Sequence, residues 1–403
     1  MKIPKGFLFS AAEAGIKKAK AGRKDLVLIY SEKEAACAGV FTRNRIKGAP
    51  VKLDIERIKA GKARAIVANS GNANVCTGRQ GLIDAREMAR IAAKGLGVDE
   101  NLVFVCSTGV IGAPLPMERI RPPLYRMAGE AAKGKGQKGA GLPIEEAARA
   151  IMTTDTFPKT AARSFRISGR QAHMAGIAKG AGMIHPDMAT MLSFIVTDLS
   201  ISVGLLQRAL KESAEKSFNR VTVDGDTSTS DTVLIMANGL AGNPVIKKPG
   251  KEYDTFKKAL DDVAGELAKM VAADGEGATK LIEVTVRGAA SKKDALRGAF
   301  TVAESPLVKT AVYGNDANWG RIMMALGRSG IAIEEEKVDI SLGRIKIVKR
   351  GMSMGNDGPA ADLLRNSKEI AIVIDLHLGP WDEKVLTCDL TEDYIKINAE
   401  YRT

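Results

Sequence analysis

Between Arg64 and Val105 the chain spells out strand, helix and strand: "RAIVA" from Arg64 to Ala68, an amphipathic run from Gly81 to Leu96, and "NLVFV" from Asn101 to Val105. Short apolar runs are strands buried on both faces, and a helix with one apolar stripe must lay that stripe on a sheet or another helix. Further strands are expected at Asp25 to Ser31, Asp231 to Met236, Leu281 to Val286 and Glu369 to Asp375, with helices at Val203 to Ser217 and Tyr253 to Ala273. The alternation is irregular, which argues for sheets covered by helices in a layered α/β fold and against a doubly wound nucleotide fold. At 403 residues the chain suits two domains or one large layered domain. Aromatics make up only 4% of residues, so aliphatic side chains must fill the core, and 41 glycines imply many tight turns.

Lys and Arg outnumber Asp and Glu by 60 to 47, a formal charge of +13. The basic residues are dispersed in pairs such as Lys17-Lys18, Lys247-Lys248 and Lys292-Lys293, without interleaved aromatics, so no nucleic-acid groove is expected. A site that attracts small carboxylates fits this balance. Cys37, Cys76, Cys106 and Cys388 lack CxxC spacing, and His173, His185 and His377 are the only histidines. Neither a zinc framework nor a disulfide scaffold is expected, and no metal or cofactor site is assigned. The first ten residues carry too short an apolar run for a signal peptide and no segment approaches a membrane span, so a cytoplasmic protein without membrane contact is expected.

The lysine- and glycine-rich run Ala131 to Leu142, "AAKGKGQKGAGL", reads as a linker between two Ala-rich helical segments. It contains a formal G-x-G-x-x-G at Gly134 to Gly139. A dinucleotide site requires a strand before that motif, and here a helix precedes it.

The chemistry concentrates in Lys179 to Leu192, "KGAGMIHPDMATML", where Thr190 is a lone hydroxyl within an apolar run. On pattern alone a buried threonine on a strand edge would read the same way. As a nucleophile, a threonine needs a base. His185 lies five residues earlier with Pro186 between, which makes a local dyad an awkward turn. An N-terminal threonine solves the problem with its own α-amine, whose pKa of about 7.7–8.0 suits proton transfer near neutrality. That requires cleavage between Ala189 and Thr190, by attack of the Thr190 hydroxyl on the Ala189 carbonyl. Acyl chemistry also needs oxyanion donors. "CSTGVIG" (Cys106 to Gly112) follows an expected strand and offers Thr108 and the unhindered backbone of Gly109. The carboxylates Asp224, Asp226 and Asp231 of "VDGDTSTSD" read as turn and hydrogen-bonding residues rather than metal ligands.

These segments, together with "GIKKAKAGRKDLVLI", "ANSGNANVCTG", "IMTTDTFPK", "VDGDTSTSDT", "ADGEGATK" and "YGNDANWGRI", resemble the ornithine acetyltransferase family over nearly the whole chain. That family comprises the bifunctional glutamate N-acetyltransferases of arginine biosynthesis. The resemblance implies a layered α/β sandwich similar to that of the self-processing DmpA aminopeptidases, cut into chains 1–189 and 190–403 that remain associated as an α2β2 heterotetramer. It implies acetyl transfer from N-acetylornithine to glutamate through an ester on Thr190, with Thr108 and Gly109 forming the oxyanion hole. Thr153, Lys179, Thr190, Glu276, Asn398 and Thr403 would line the substrate site, Lys179 holding a carboxylate and Glu276 an ammonium. No cofactor is implied, and acetyl-CoA is left open as a second acetyl donor. The alternative is a self-processing amidase or aminopeptidase in which water resolves the acyl-enzyme.

Overall fold

A computed structural model describes residues 2–16, 22–134, 141–185 and 191–400. Among these, two compact units are distinguished: residues 2–180, 191–219 and 227–268 in the first, and 181–185, 220–226 and 269–400 in the second. Ala189, Thr190 and Thr403 lie outside the described residues.

The first unit contains strands β1 (Phe7–Ala12), β2 (Leu26–Phe41), β3 (Lys62–Asn72), β4 (Val103–Val110), β5 (Lys159–Ile167), β6 (Arg170–Lys179), β7 (Leu192–Thr197) and β8 (Thr232–Ala237). They pair in the order β4-β3-β2-β8-β7-β6-β5, with β1 beside β2. Only β3 with β4 and β7 with β8 run parallel. The long β2 loses register with β3 between Tyr30 and Ala35, pairing with β1 before that break, with β8 after it and with β3 on both sides. Alternate residues from the two halves of the sheet then share one core cluster: Val27, Ile29, Ile66 and Phe104 from one, Ile177, Phe194, Leu234 and Met236 from the other. The halves therefore face each other.

The helices of this unit are α1 (Ala49–Arg57), α2 (Gly78–Leu96), α3 (Met117–Lys133), α4 (Ile144–Ile151), α5 (Val203–Lys216) and most of α6 (Lys251–Ala273). The outer face of the β1–β4 half presents Leu26, Leu28, Ala65 and Val67 to Met88, Ala92 and Leu96 of α2 and to Ile120 and Leu124 of α3. Aromatic poverty shows in this layer: a Cβ on Gly95 of α2 would stand 2.6 Å from the Ala128 Cβ of α3, so the helices touch nearly backbone to backbone. On the other half, Gly176 of β6 sits under Val263 and Leu267 of α6. Helix, sheet, sheet, helix is the layered α/β sandwich the sequence implies.

The second unit has strands β9 (Leu281–Ala289), β10 (Asp339–Leu342), β11 (Ile345–Lys349), β12 (Met352–Ser353), β13 (Glu369–Asp375) and β14 (Trp381–Cys388), ordered β12-β11-β10-β13-β9-β14. Its helices are α7 (Lys292–Ala303), α8 (Pro306–Tyr313), α9 (Trp319–Gly327), α10 (Asp357–Asn366) and α11 (Glu392–Ala399). Alternation along β9 and β13 turns Ile282, Val284, Val286, Ile370, Ile372 and Ile374 to one face, where α7 to α10 supply Ala299, Val312, Leu326 and Leu364.

Candidate active site

Thr108 and Gly109 close β4, the edge strand of the first unit's sheet. Its outward backbone groups are satisfied from α1: the buried Asp54 carboxylate accepts the Val105 N–H at 3.1 and 3.2 Å, and the Arg57 guanidinium donates to the Val103 carbonyl. Gly109 has φ +131°, and a Cβ there would lie 2.3 Å from the Gly71 carbonyl carbon and 2.6 Å from the Asn72 nitrogen. Two backbones meet at this point with no room for a side chain. Thr108 is buried, and its hydroxyl has no hydrogen-bond partner among the described residues.

The "ANSGNANVCTG" block supports this turn. Ser107 donates to Asn69 Oδ1 (2.6 Å), Asn69 Nδ2 to the Asn72 carbonyl (2.8 Å), and Asn72 Nδ2 to the Ala113 and Pro114 carbonyls (both 3.0 Å). The Ala73 N–H donates to Val110 and the Ala49 N–H to Asn74, both at 3.0 Å. From there the Gly48 N–H reaches Thr229 and the Thr42 N–H reaches Asp231, again at 3.0 Å. Asp231 is fully buried, and its Oδ1 accepts the Met191 N–H at 2.9 Å. Burial pushes its carboxyl well above the ordinary carboxylate range. A continuous run of loops thus links the Thr108-Gly109 turn to Met191, the residue that follows Thr190 in the sequence.

Lys179 ends β6 and pairs in register with Leu192, the first residue of β7. It is 2% exposed, and its ammonium lies 3.9 Å from Asp155 Oδ2. The same Oδ2 accepts the Thr153 N–H at 2.9 Å. Asp155 Oδ1 accepts the Gly180 N–H at 2.6 Å and the ammonium of fully buried Lys159 at 2.7 Å. Burial alone would raise the Asp155 carboxyl, but the Lys179 and Lys159 charges, with the Lys159 and Gly180 hydrogen bonds, hold it well below the usual carboxylate range. Asp155 therefore binds Thr153 and Lys179, two of the expected substrate residues, into one cluster. A cavity of about 440 Å³ over this loop is lined by Arg23, Lys24, Arg149 and Asp155, with Lys24 paired to Glu146 at 3.2 Å.

The second unit holds Glu276 and Asn398. Glu276 follows α6, is 7% exposed, and donates its backbone N–H to the Ala181 carbonyl at 2.9 Å. A Cβ on Gly182 would stand 2.3 Å from Glu276 Oε2 and 2.6 Å from Oε1, so the carboxylate rests directly on the glycine. Asn398 of α11 donates from Nδ2 to Glu276 Oε2 at 2.8 Å. Gly277, at φ +70°, brings the loop against the Tyr394 nitrogen, and Thr391 donates its hydroxyl to the Gly277 carbonyl at 2.8 Å. Asp224 accepts the N–H groups of Met183 (2.6 Å) and Ile184 (2.9 Å), which holds the strained Met183 at φ +57°. Burial, followed by the charges of Asp224, Glu276 and Asp226, drives the Tyr394 phenol up. Asp224 and Asp231 thus act as the hydrogen-bonding residues expected of them. His185 faces Glu304 at 2.9 Å.

The ArgJ family pattern matches residues 8–403. The chain belongs to the ArgJ family. The arginine biosynthesis bifunctional protein ArgJ of Geobacter sulfurreducens is 50% identical over 99% of both chains, and that of Symbiobacterium thermophilum is 50% identical over 99% of this chain and 98% of its own. Among solved structures, the Bacillus halodurans protein of the same name superposes with a TM-score of 0.51 at 47% identity, covering 52% of this chain and 99% of its own. The resemblance drawn from the sequence blocks is borne out. In this ArgJ family member the residues that sequence reasoning passed over are supporting ones: Asp155 and Lys159 beneath Lys179, Gly182 beneath Glu276, and Asp54 with Arg57 along β4. Only the 155–159 pair carries a local signal, an Asp and a Lys four apart in "TTDTFPK".

Proposed function

We propose that this ArgJ family member is an arginine-biosynthesis acetyltransferase that moves acetyl from N-acetyl-L-ornithine to L-glutamate. The observation that carries the reading is the 50% identity over 99% of both chains to a bifunctional ArgJ protein. Thr190 is the nucleophile, exposed as an N-terminus by cleavage after Ala189. Its hydroxyl oxygen attacks the acetyl carbonyl while its α-amine takes the proton. The oxyanion develops toward Thr108 and Gly109, whose hydroxyl and backbone N–H groups are the proposed donors. Collapse breaks the C–N bond, the α-amine returns the proton to the leaving nitrogen, and ornithine departs. Glutamate's neutral amine then attacks the ester, forming N-acetylglutamate and restoring the hydroxyl. Lys179 holds a substrate carboxylate with Thr153 beside it, and Glu276, with Asn398 and Thr403, meets an ammonium.

Two chains, 1–189 and 190–403, follow from this reading, assembled as α2β2 in the cytoplasm. The Bacillus halodurans structure supports the division, since its chain is matched almost in full by about half of this one. Among the described residues no helix is long and apolar enough to cross a membrane. Acetyl-CoA serves as a second donor in the bifunctional form of the reading. The experiment is product analysis with N-acetylornithine and glutamate. Formation of N-acetylglutamate and a mass gain of about 42 Da on the C-terminal chain, an acetyl replacing a proton, are expected. Thr190→Ala should remain one uncut, inactive chain. Release of acetate without acetylated glutamate would favour the amidase instead.

A further inference from the structure

If the chain cuts itself before Thr190, as proposed, the backbone on either side of the scissile bond must be fixed before the hydroxyl can attack. The described residues that flank the bond are held in one repeated pattern. Upstream, Ile184 donates its N–H to Asp224 Oδ1 at 2.9 Å, and its carbonyl accepts the Val223 N–H at 2.8 Å and the Thr222 hydroxyl at 3.3 Å. Downstream, Met191 donates its N–H to Asp231 Oδ1 at 2.9 Å, and its carbonyl accepts the Thr232 N–H at 3.1 Å. Each time an aspartate takes the N–H, and a backbone amide adjacent to that aspartate in the chain fills the carbonyl. Both aspartates belong to the stretch "VDGDTSTSD", and each set of contacts is complete within its own unit: Ile184 and Asp224 in the second, Met191 and Asp231 in the first.

The upstream anchor holds strain. Met183 stands at φ +57°, a left-handed conformation that side chains avoid, and Asp224 Oδ2 accepts its N–H at 2.6 Å. Val223 is pinned in turn by the buried Lys309 ammonium, which donates to its carbonyl. An intramolecular attack is sensitive to such placement, since a misplacement of about 1 Å can cost on the order of 100-fold. We propose that Asp224 and Asp231 are positioning residues for self-cleavage, Asp224 fixing the chain before the scissile bond and Asp231 the chain after it. In the step they serve, the Thr190 oxygen bonds to the Ala189 carbonyl carbon, the carbon–nitrogen bond breaks, and the hydroxyl proton ends on the new α-amine. Water then hydrolyses the ester.

The competing account is that the two carboxyls merely stabilise their loops. Graded variants part the two. Asp231→Asn keeps one carbonyl oxygen, enough for the single Met191 N–H, so cleavage should stay within about threefold of wild type. Asp224→Asn keeps one oxygen where Met183 and Ile184 use two, and cleavage should slow roughly tenfold. Asp224→Leu and Asp231→Leu remove the acceptors altogether, and folded, uncut chain should accumulate, with cleavage slowed about 100-fold. Ile66→Val and Ile372→Val, in the cores of the first and second units, lower stability without touching either anchor and should cleave at the wild-type rate.

The rate is read from pulse-labelled chain made by cell-free translation and sampled on denaturing gels, beside melting curves of each purified protein. A folded Asp224→Leu or Asp231→Leu that cleaves at the wild-type rate overturns the proposal. Rates that fall in step with melting temperature across all variants, the two core controls included, overturn it as well. If the leucine variants do not fold, the asparagine pair decides: Asp224→Asn slower than Asp231→Asn supports the anchors, and equal rates overturn them. Wild-type protein that is active as one intact chain would retire the cleavage reading, and this proposal with it.

Discussion

Lys179 and Glu276 are both nearly sealed from solvent, yet the first is held by charge and the second by shape. Around Lys179, Asp155 and Lys159 sit at strand ends and in the tight loop between α4 and β5, and four donors converge on one carboxylate. Around Glu276, a glycine floor, one Asn398 hydrogen bond and a glycine turn against α11 do the holding. A charge network resists displacement because each partner restrains the others. A carboxylate resting on a bare glycine depends on there being nothing beneath it. The two regions should therefore fail differently.

The largest effect is expected where a glycine meets backbone rather than side chain. Gly109→Ala puts a Cβ 2.3 Å from the Gly71 backbone at a φ that L-residues avoid, so the protein should misfold or, if recovered, lose about 100-fold or more in kcat. Gly182→Ala strikes only the end of the Glu276 side chain, which can swing. It should melt within a few degrees of wild type while KM for the acetylornithine donor rises about tenfold. Equal losses in the two variants would break the contrast.

A smaller effect separates the two charges. Lys179→Met should raise KM for glutamate, and Glu276→Gln should weaken competitive inhibition by ornithine more than inhibition by a dicarboxylate, each by roughly tenfold. If either variant weakened both kinds of ligand alike, the assignment of carboxylate to one residue and ammonium to the other would fail.

The smallest effect is on acid stability, and its sign differs between the regions. Asp155 has its folded pKa depressed, so its contribution is complete above the unfolded value of about 3.9 and is lost as pH falls through the folded one. Asp224, raised by burial, contributes in the opposite sense: fully below about 3.9, and lost as pH rises through its folded value. Melting temperatures measured from neutral pH down to strong acid should show Asp155→Asn with a shallower acid-side loss than wild type. Asp224→Asn should show a shallower decline on the way up. Parallel curves for both variants would mean that neither carboxyl changes its proton affinity on folding.

Much of the fold was legible from apolar runs. Glu369 to Asp375 is a strand with the expected ends, and Gly81 to Leu96 lies within α2. The strands β5 and β6 escaped notice. Along β6 burial runs unbroken from Ala172 to Lys179, so there is no alternation to read, and Gly176 and three alanines carry little strand propensity. In the candidate site the proposed reacting residues stand out in the sequence, and their supports do not. Thr108 and Gly109 announce themselves by chemistry at a strand end. Lys159 looks like a surface lysine after a proline until the fold buries it, and Gly182 looks like any turn glycine until Glu276 is laid on it.

If the chain is cut before Thr190 as proposed, the position of β7 bears on when that cut can fall. The strand begins two residues after Thr190, is buried throughout, and is paired on one side to β6 and on the other to β8. A cut before Thr190 therefore frees an end beside the middle of a sheet, not at its margin. The two products would remain interleaved, with β6 contributed by one and β7 and β8 by the other. Neither half owns the whole eight-stranded sheet, so the proposed scission would follow folding of that sheet. Two separately translated genes for 1–189 and 190–403 would have to meet as nascent, unfolded partners to reach the same state.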